Sequence, residues 1–146
     1  MKRLTFRYQY DASFLDLNQT RDDFGRLSVT VATDSFSGRG GFWVQWQDVK
    51  EFGNALGTFP ITAEHPVVVE WGFNMLEGDD LILRVEIKPA NSRGDLAVGF
   101  VVSDDHHPEC RVRGWFLTNY PDLEAFQHSI ARLMNRDVEE AILTGQ

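Results

Sequence analysis

Two stretches of this chain follow one plan at a fixed spacing. Phe42 to Phe59 reads FWVQWQDVKEFGNALGTF, and Phe116 to Leu133 reads FLTNYPDLEAFQHSIARL. At an offset of 74 residues Phe42 falls on Phe116, Asp48 on Asp122, Val49 on Leu123, Phe52 on Phe126 and Leu56 on Ile130. Just upstream, Arg39-Gly40 falls on Arg113-Gly114. Each stretch is an aromatic strand end followed by an acidic residue and by apolar positions three and four apart. That spacing puts side chains on one face of a helix. The expected plan is therefore a pseudo-repeat of two strand-to-helix junctions over one apolar interior. The halves, at about 1–60 and 61–146, sit within a single domain of 146 residues, an ordinary domain length.

The second junction carries its own start signal. Asn119 is read as an N-cap, Pro121 lies in the first turn, and Asp122 stands three residues after the cap. Asp48 and Asp122 each face the unpaired amides of a helix start, which gives both acids a structural role rather than a catalytic one.

Elsewhere the period changes to two. Leu4, Phe6, Tyr8 and Tyr10 alternate with polar residues, as do Leu27, Val29 and Val31. Gly38 to Trp46 continues the series, and four later runs centre on Trp71, Val85, Phe100 and Gly114. Polar turns at Glu77–Asp80, Pro89–Asp95 and Asp104–Pro108 join the later strands as an antiparallel meander. The expected fold is α+β: a curved antiparallel sheet of about seven strands with two main helices on one face. Asp137, Glu140, Ala141, Ile142, Leu143 and Gly145 read as a short C-terminal helix.

Charge limits the partners. Fourteen basic residues against 22 acidic ones give a net charge of −8. A nucleic-acid backbone or an anionic membrane is disfavoured unless basic residues concentrate locally. Arg3, Arg7, Arg21, Arg26 and Arg39 are candidates for such a cluster, although no basic run is present. No run of 18 apolar residues suggests a membrane span, and the opening residues form no signal-peptide core. The single cysteine, Cys110, forms no internal disulfide, so a reducing cytoplasm is the expected location.

Candidate chemistry is sparse. Asp104, Asp105, His106, His107, Glu109 and Cys110 offer zinc-ligand types, but adjacent histidines on an extended segment point to opposite sides. The segment reads as a polar hairpin bend, with Cys110 expected on the apolar face of the strand that follows it. The glycines of Phe36–Gly41 match neither phosphate-binding fingerprint and instead suggest a bulge or close backbone approach. No metal or cofactor is expected. Arg39 and Arg113 are either an anion site at the junction of the halves or are separately paired. Trp43 and Trp115, with Arg111 and Arg113, form a candidate protein-binding surface if they prove exposed.

The glycine-rich entry Phe36-Ser37-Gly38-Arg39-Gly40, the aromatic Phe42-Trp43-Val44, and the helix with Asp48, Val49 and Phe52 resemble a family of small uncharacterised bacterial α+β proteins. The strand after Arg93-Gly94-Asp95 and the Trp115-to-Phe126 pair extend that likeness. The family is distantly similar to immunity proteins of bacterial toxin systems. The resemblance implies a protein that neutralises a toxin by binding it. The aromatic faces, the acidic balance and the lack of a catalytic arrangement point to a non-enzymatic cytoplasmic binding protein, immunity-like or self-associating. The alternative is a small-ligand binding protein or hydrolase using Arg39 and Arg113 or the Asp104–Cys110 segment.

Overall fold

The computed structural model describes residues 1–10, 23–73 and 81–146. The Glu77–Asp80 turn and Arg21 lie outside the described residues. Among the described residues eight strands and two helices follow in order. They are β1 (Arg3–Tyr10), β2 (Phe24–Ala32), β3 (Ser37–Gln45), α1 (Trp46–Ala55), β4 (Val67–Gly72), β5 (Leu81–Pro89), β6 (Leu96–Ser103), β7 (Arg111–Thr118), α2 (Tyr120–Met134) and β8 (Ala141–Thr144). The fold is α+β, but the single curved sheet of seven strands is corrected to two antiparallel sheets of four. Their orders are β3-β2-β1-β8 and β4-β5-β6-β7. Alternation along a strand cannot distinguish the two arrangements, because either one buries the same face. Ser37, Trp46 and Val67 begin β3, α1 and β4; Arg111, Tyr120 and Ala141 begin β7, α2 and β8.

The second correction is at the C-terminus, where β8 replaces the expected short helix. Its four residues bury Ala141 and Leu143 and turn Ile142 and Thr144 outward. Leu4 pairs with Leu143 and Phe6 with Ala141, so β8 satisfies the edge of β1. The presumed capping residue Asp137 belongs to the end of α2. Its amide donates to the Arg132 carbonyl at 2.9 Å, and Arg136 donates to Leu133 at 3.1 Å with Arg136 at φ 64°. Those two bonds around a left-handed residue form a Schellman termination.

Each sheet has an apolar inner face turned to a shared core. Phe6 of β1 lies where the elements meet: its ring is 5.8 Å from Phe52 of α1, 5.5 Å from Phe126 of α2 and 6.5 Å from Trp71 of β4. Val49, Phe52, Leu56, Leu123, Phe126 and Ile130 are all buried, as their spacing predicts. Asn119 caps α2, its side chain accepting from the Asp122 amide at 2.8 Å. α1 starts from Gln45 without a side-chain cap.

The sheets come close where β3 passes β6 and β7. A Cβ on Gly38 would fall 2.6 Å from Val112, and one on Gly40 would run into the Ser103 carbonyl. Here the glycines permit close backbone approach. At the other side the Gln146 amide donates to the Leu117 carbonyl at 2.8 Å, and the Thr118 hydroxyl to Thr144 at 2.9 Å. No helix among the described residues is long and apolar enough to cross a membrane.

Candidate functional site

The outer face of β3-β2-β1-β8 is polar because the even-numbered apolar residues of β1 and the odd-numbered ones of β2 point inward. The register then assembles rows. Thr5 lies beside Thr30, and Thr30 beside Arg39; Arg7 beside Ser28, and Ser28 beside Gly41; Gln9 beside Arg26, and Arg26 beside Trp43. The β6–β7 turn brings Asp104 and Asp105 to the edge of this face, and Glu140 stands at the other side. Together they bound a trough of about 660 Å³.

Two of its cations are neutralised. Arg26 donates to both Asp105 carboxylate oxygens, at 2.7 and 2.9 Å. The Asp105 side chain is only 8% exposed, that of Arg26 30%. This bidentate bond holds the Asp105 carboxyl below its ordinary range and raises Arg26. Gly41 leaves room for the pair, since a Cβ there would lie 3.0 Å from the guanidinium. Arg7 pairs with Glu140 at 2.7 Å on a more exposed part of the rim.

The other two are not. Among the described residues, the side chains of Arg3 and Arg39 make no hydrogen bond or ion pair, and neither do the hydroxyls of Thr5, Ser28 and Thr30. A cavity between the helices, about 610 Å³, offers a contrast. Its cations are engaged, Lys50 lying 5.9 Å from the Trp46 ring and Arg136 4.1 Å from Tyr10. The trough therefore gathers guanidinium and hydroxyl donors that have no partner among the described residues.

The predicted site residues separate into two groups. Arg39 and Trp43 lie on the outer face of the first sheet; Arg111, Arg113 and Trp115 lie on β7 in the second. Arg39 lines the trough, whereas Arg113 lines none of the described cavities. Arg39 converges with Asp104 and Asp105 in the trough. Arg111 is tied to the Pro108 and Leu81 carbonyls at 2.9 and 3.3 Å. Trp43 is 48% and Trp115 64% exposed.

The Asp104–Cys110 segment is a closed turn, with the Asp104 amide bonded to the Cys110 carbonyl at 3.1 Å and the Cys110 amide to His107 at 2.8 Å. Cys110 is exposed rather than buried, because the β7 alternation begins only at Arg111. No cluster of three metal-ligating residues occurs among the described residues.

Sequence reasoning misses Thr5, Ser28 and Thr30 as site residues and gives Glu140 only a helix-capping role. The strand period marks the first three as outward-facing, but only the neighbour order of the strands places them in one row. Neither family models, curated proteins nor solved structures give a match to this chain.

Proposed function

We propose that the protein is a non-catalytic binding protein for a small anionic ligand, held on the outer face of β3-β2-β1-β8. The observation that carries this reading is that Arg3 and Arg39 make no ion pair, and the nearby hydroxyls no hydrogen bond, among the described residues of one trough in which guanidiniums outnumber carboxylates. A hydrolase reading asks for an activated nucleophile, whereas these groups donate hydrogen bonds and the neighbouring Asp105 and Glu140 are held in ion pairs. The net charge of −8 favours a small ligand over an acidic macromolecule. At physiological ionic strength charges beyond about 8 Å are largely screened, so a small anion senses chiefly the local arginines. Titration with sodium sulfate, followed by amide NMR, tests the site. Shifts centred on Thr5, Ser28, Thr30 and Arg39 are expected; shifts confined to the helix groove, or none, would remove the proposal.

A second reading, the immunity-like binding of a protein partner or another copy, is favoured by Trp115. It stands exposed on β7, an edge strand whose strand partner among the described residues is β6 and whose outer edge is met by Gln146 at the Leu117 carbonyl. Stoichiometric capture of a partner that Trp115→Ala abolishes would support it; a strictly monomeric mass with no such partner would count against it. The matching starts of β3 and β7, α1 and α2, and β4 and β8 support the reading of two similarly built halves.

A further inference from the structure

We propose that the trough selects a phosphate monoester of a small hydroxylated molecule; this deepens, and rests on, the anion-binding reading. Charge is the first reason. Arg3 and Arg39 make no ion pair among the described residues, and the four guanidiniums of the trough exceed its three carboxylates. Two guanidinium forks suit the three terminal oxygens of a phosphate monoester better than the two of a carboxylate. Arginine also presents paired donors suited to phosphate oxygens.

Geometry is the second. Arg39, Thr30 and Thr5 lie side by side on three adjacent strands, and Arg3 is two residues along from Thr5. With strands about 4.8 Å apart and a rise of about 3.4 Å per residue, the Arg3 and Arg39 Cα atoms are about 12 Å apart. Two extended arginine side chains can close that span over the Thr5–Thr30 pair. Thr5 is the decisive floor residue, only 8% exposed, with a hydroxyl that has no partner among the described residues.

The rest of the ligand is indicated by the far side of the trough. Asp104 directs one carboxylate oxygen to the His106 amide at 2.9 Å. Its other oxygen makes no hydrogen bond among the described residues and can accept from a ligand hydroxyl. Ser28 adds a group that either donates or accepts. A volume of about 660 Å³ exceeds what a bare anion needs and falls in the range of small-molecule sites.

Calorimetric titration with glycerol phosphate, glycerate and inorganic sulfate tests the assignment. Glycerol phosphate is expected to bind most tightly. Its dianionic fraction rises from about a quarter to nearly all between about pH 5.5 and about pH 7.5, so its affinity rises about fourfold. The charged and titratable groups that face the site are Arg3, Arg7, Arg26, Arg39, Asp104, Asp105 and Glu140, with His106 beside it. Sulfate, dianionic throughout, reports whatever the protein itself contributes to the pH dependence.

Arg3→Gln and Arg39→Gln should each weaken glycerol phosphate by about tenfold or more. Thr5→Val, which keeps the shape of the side chain, should weaken it about two- to tenfold. Arg93→Gln, on the β5–β6 turn, should change nothing. Both arginines are exposed and unpaired, so their variants fold, as circular dichroism would verify. Equal binding of glycerate and glycerol phosphate would overturn the phosphomonoester assignment and leave the anion site standing. Equal binding of sulfate and glycerol phosphate would overturn the hydroxylated ester alone. Binding of none of the three would overturn both proposals.

Discussion

Asp105→Asn should lower stability and raise anion affinity in the same molecule. The carboxylate accepts two charge-assisted bonds from Arg26 at 2.7 and 2.9 Å, and it is the more buried partner, 8% exposed. Hydrogen bonds to charged groups contribute about 1.5–3 kcal/mol each, and desolvation of the carboxylate offsets part of that. Arg26 keeps 30% of its side chain exposed and recovers water when released. A net loss of about 2 kcal/mol at neutral pH follows.

The pH dependence has a definite sign. Arg26 holds the folded Asp105 carboxyl below its ordinary range, so the stabilisation is fully present above the unfolded value of about 3.9. It is lost as pH falls through the lower, folded value. Urea unfolding of both proteins at about pH 7 and about pH 3 should show the gap narrowing in acid. Meanwhile Arg26 loses its ion pair and the trough gains one positive charge, and sulfate binding should tighten. A neutral-pH gap below about 0.5 kcal/mol, or an equal gap in acid, would refute the reasoning. So would a loss of anion affinity alongside the loss of stability.

Gly40→Ala places a methyl against the Ser103 carbonyl, where the obstacle is backbone. It should destabilise by about 1–3 kcal/mol or more in the same assay, and a neutral result would contradict the close approach of β3 to β6. Asn119→Ala removes the acceptor for the Asp122 amide and should cost about 1 kcal/mol, with Asn119→Asp or Asn119→Ser restoring most of it.

What the chain reveals locally and what it withholds divide along physical lines. Helix faces and strand faces depend on periods within one segment, and Val49, Phe126, Val85 and Phe100 are buried as those periods require. The Asn119 cap is equally local. β8 was misread because Asp137 to Gly145 imitates a capped helix, while two nonlocal facts decide otherwise: α2 ends through Asp137, and β1 has an edge to satisfy. Cys110 was misread by extending the alternation of β7 one residue into a turn. The trough is the least legible feature. Its arginines are conspicuous in sequence, yet their assembly needs the strand order of one sheet and a turn of the other, whose Asp105 claims Arg26 and leaves Arg3 and Arg39 free.

The pairing of Leu4 with Leu143 has a consequence for how the molecule is made. On the ribosome the first sheet remains three-stranded while both helices and the entire second sheet are synthesised. β1 spends that interval with an unoccupied rim beside Phe6, so aggregation or chaperone capture competes with the arrival of β8. Contacts of such high sequence separation also slow folding, placing this chain with the slower α/β and β topologies rather than with helical bundles of its length.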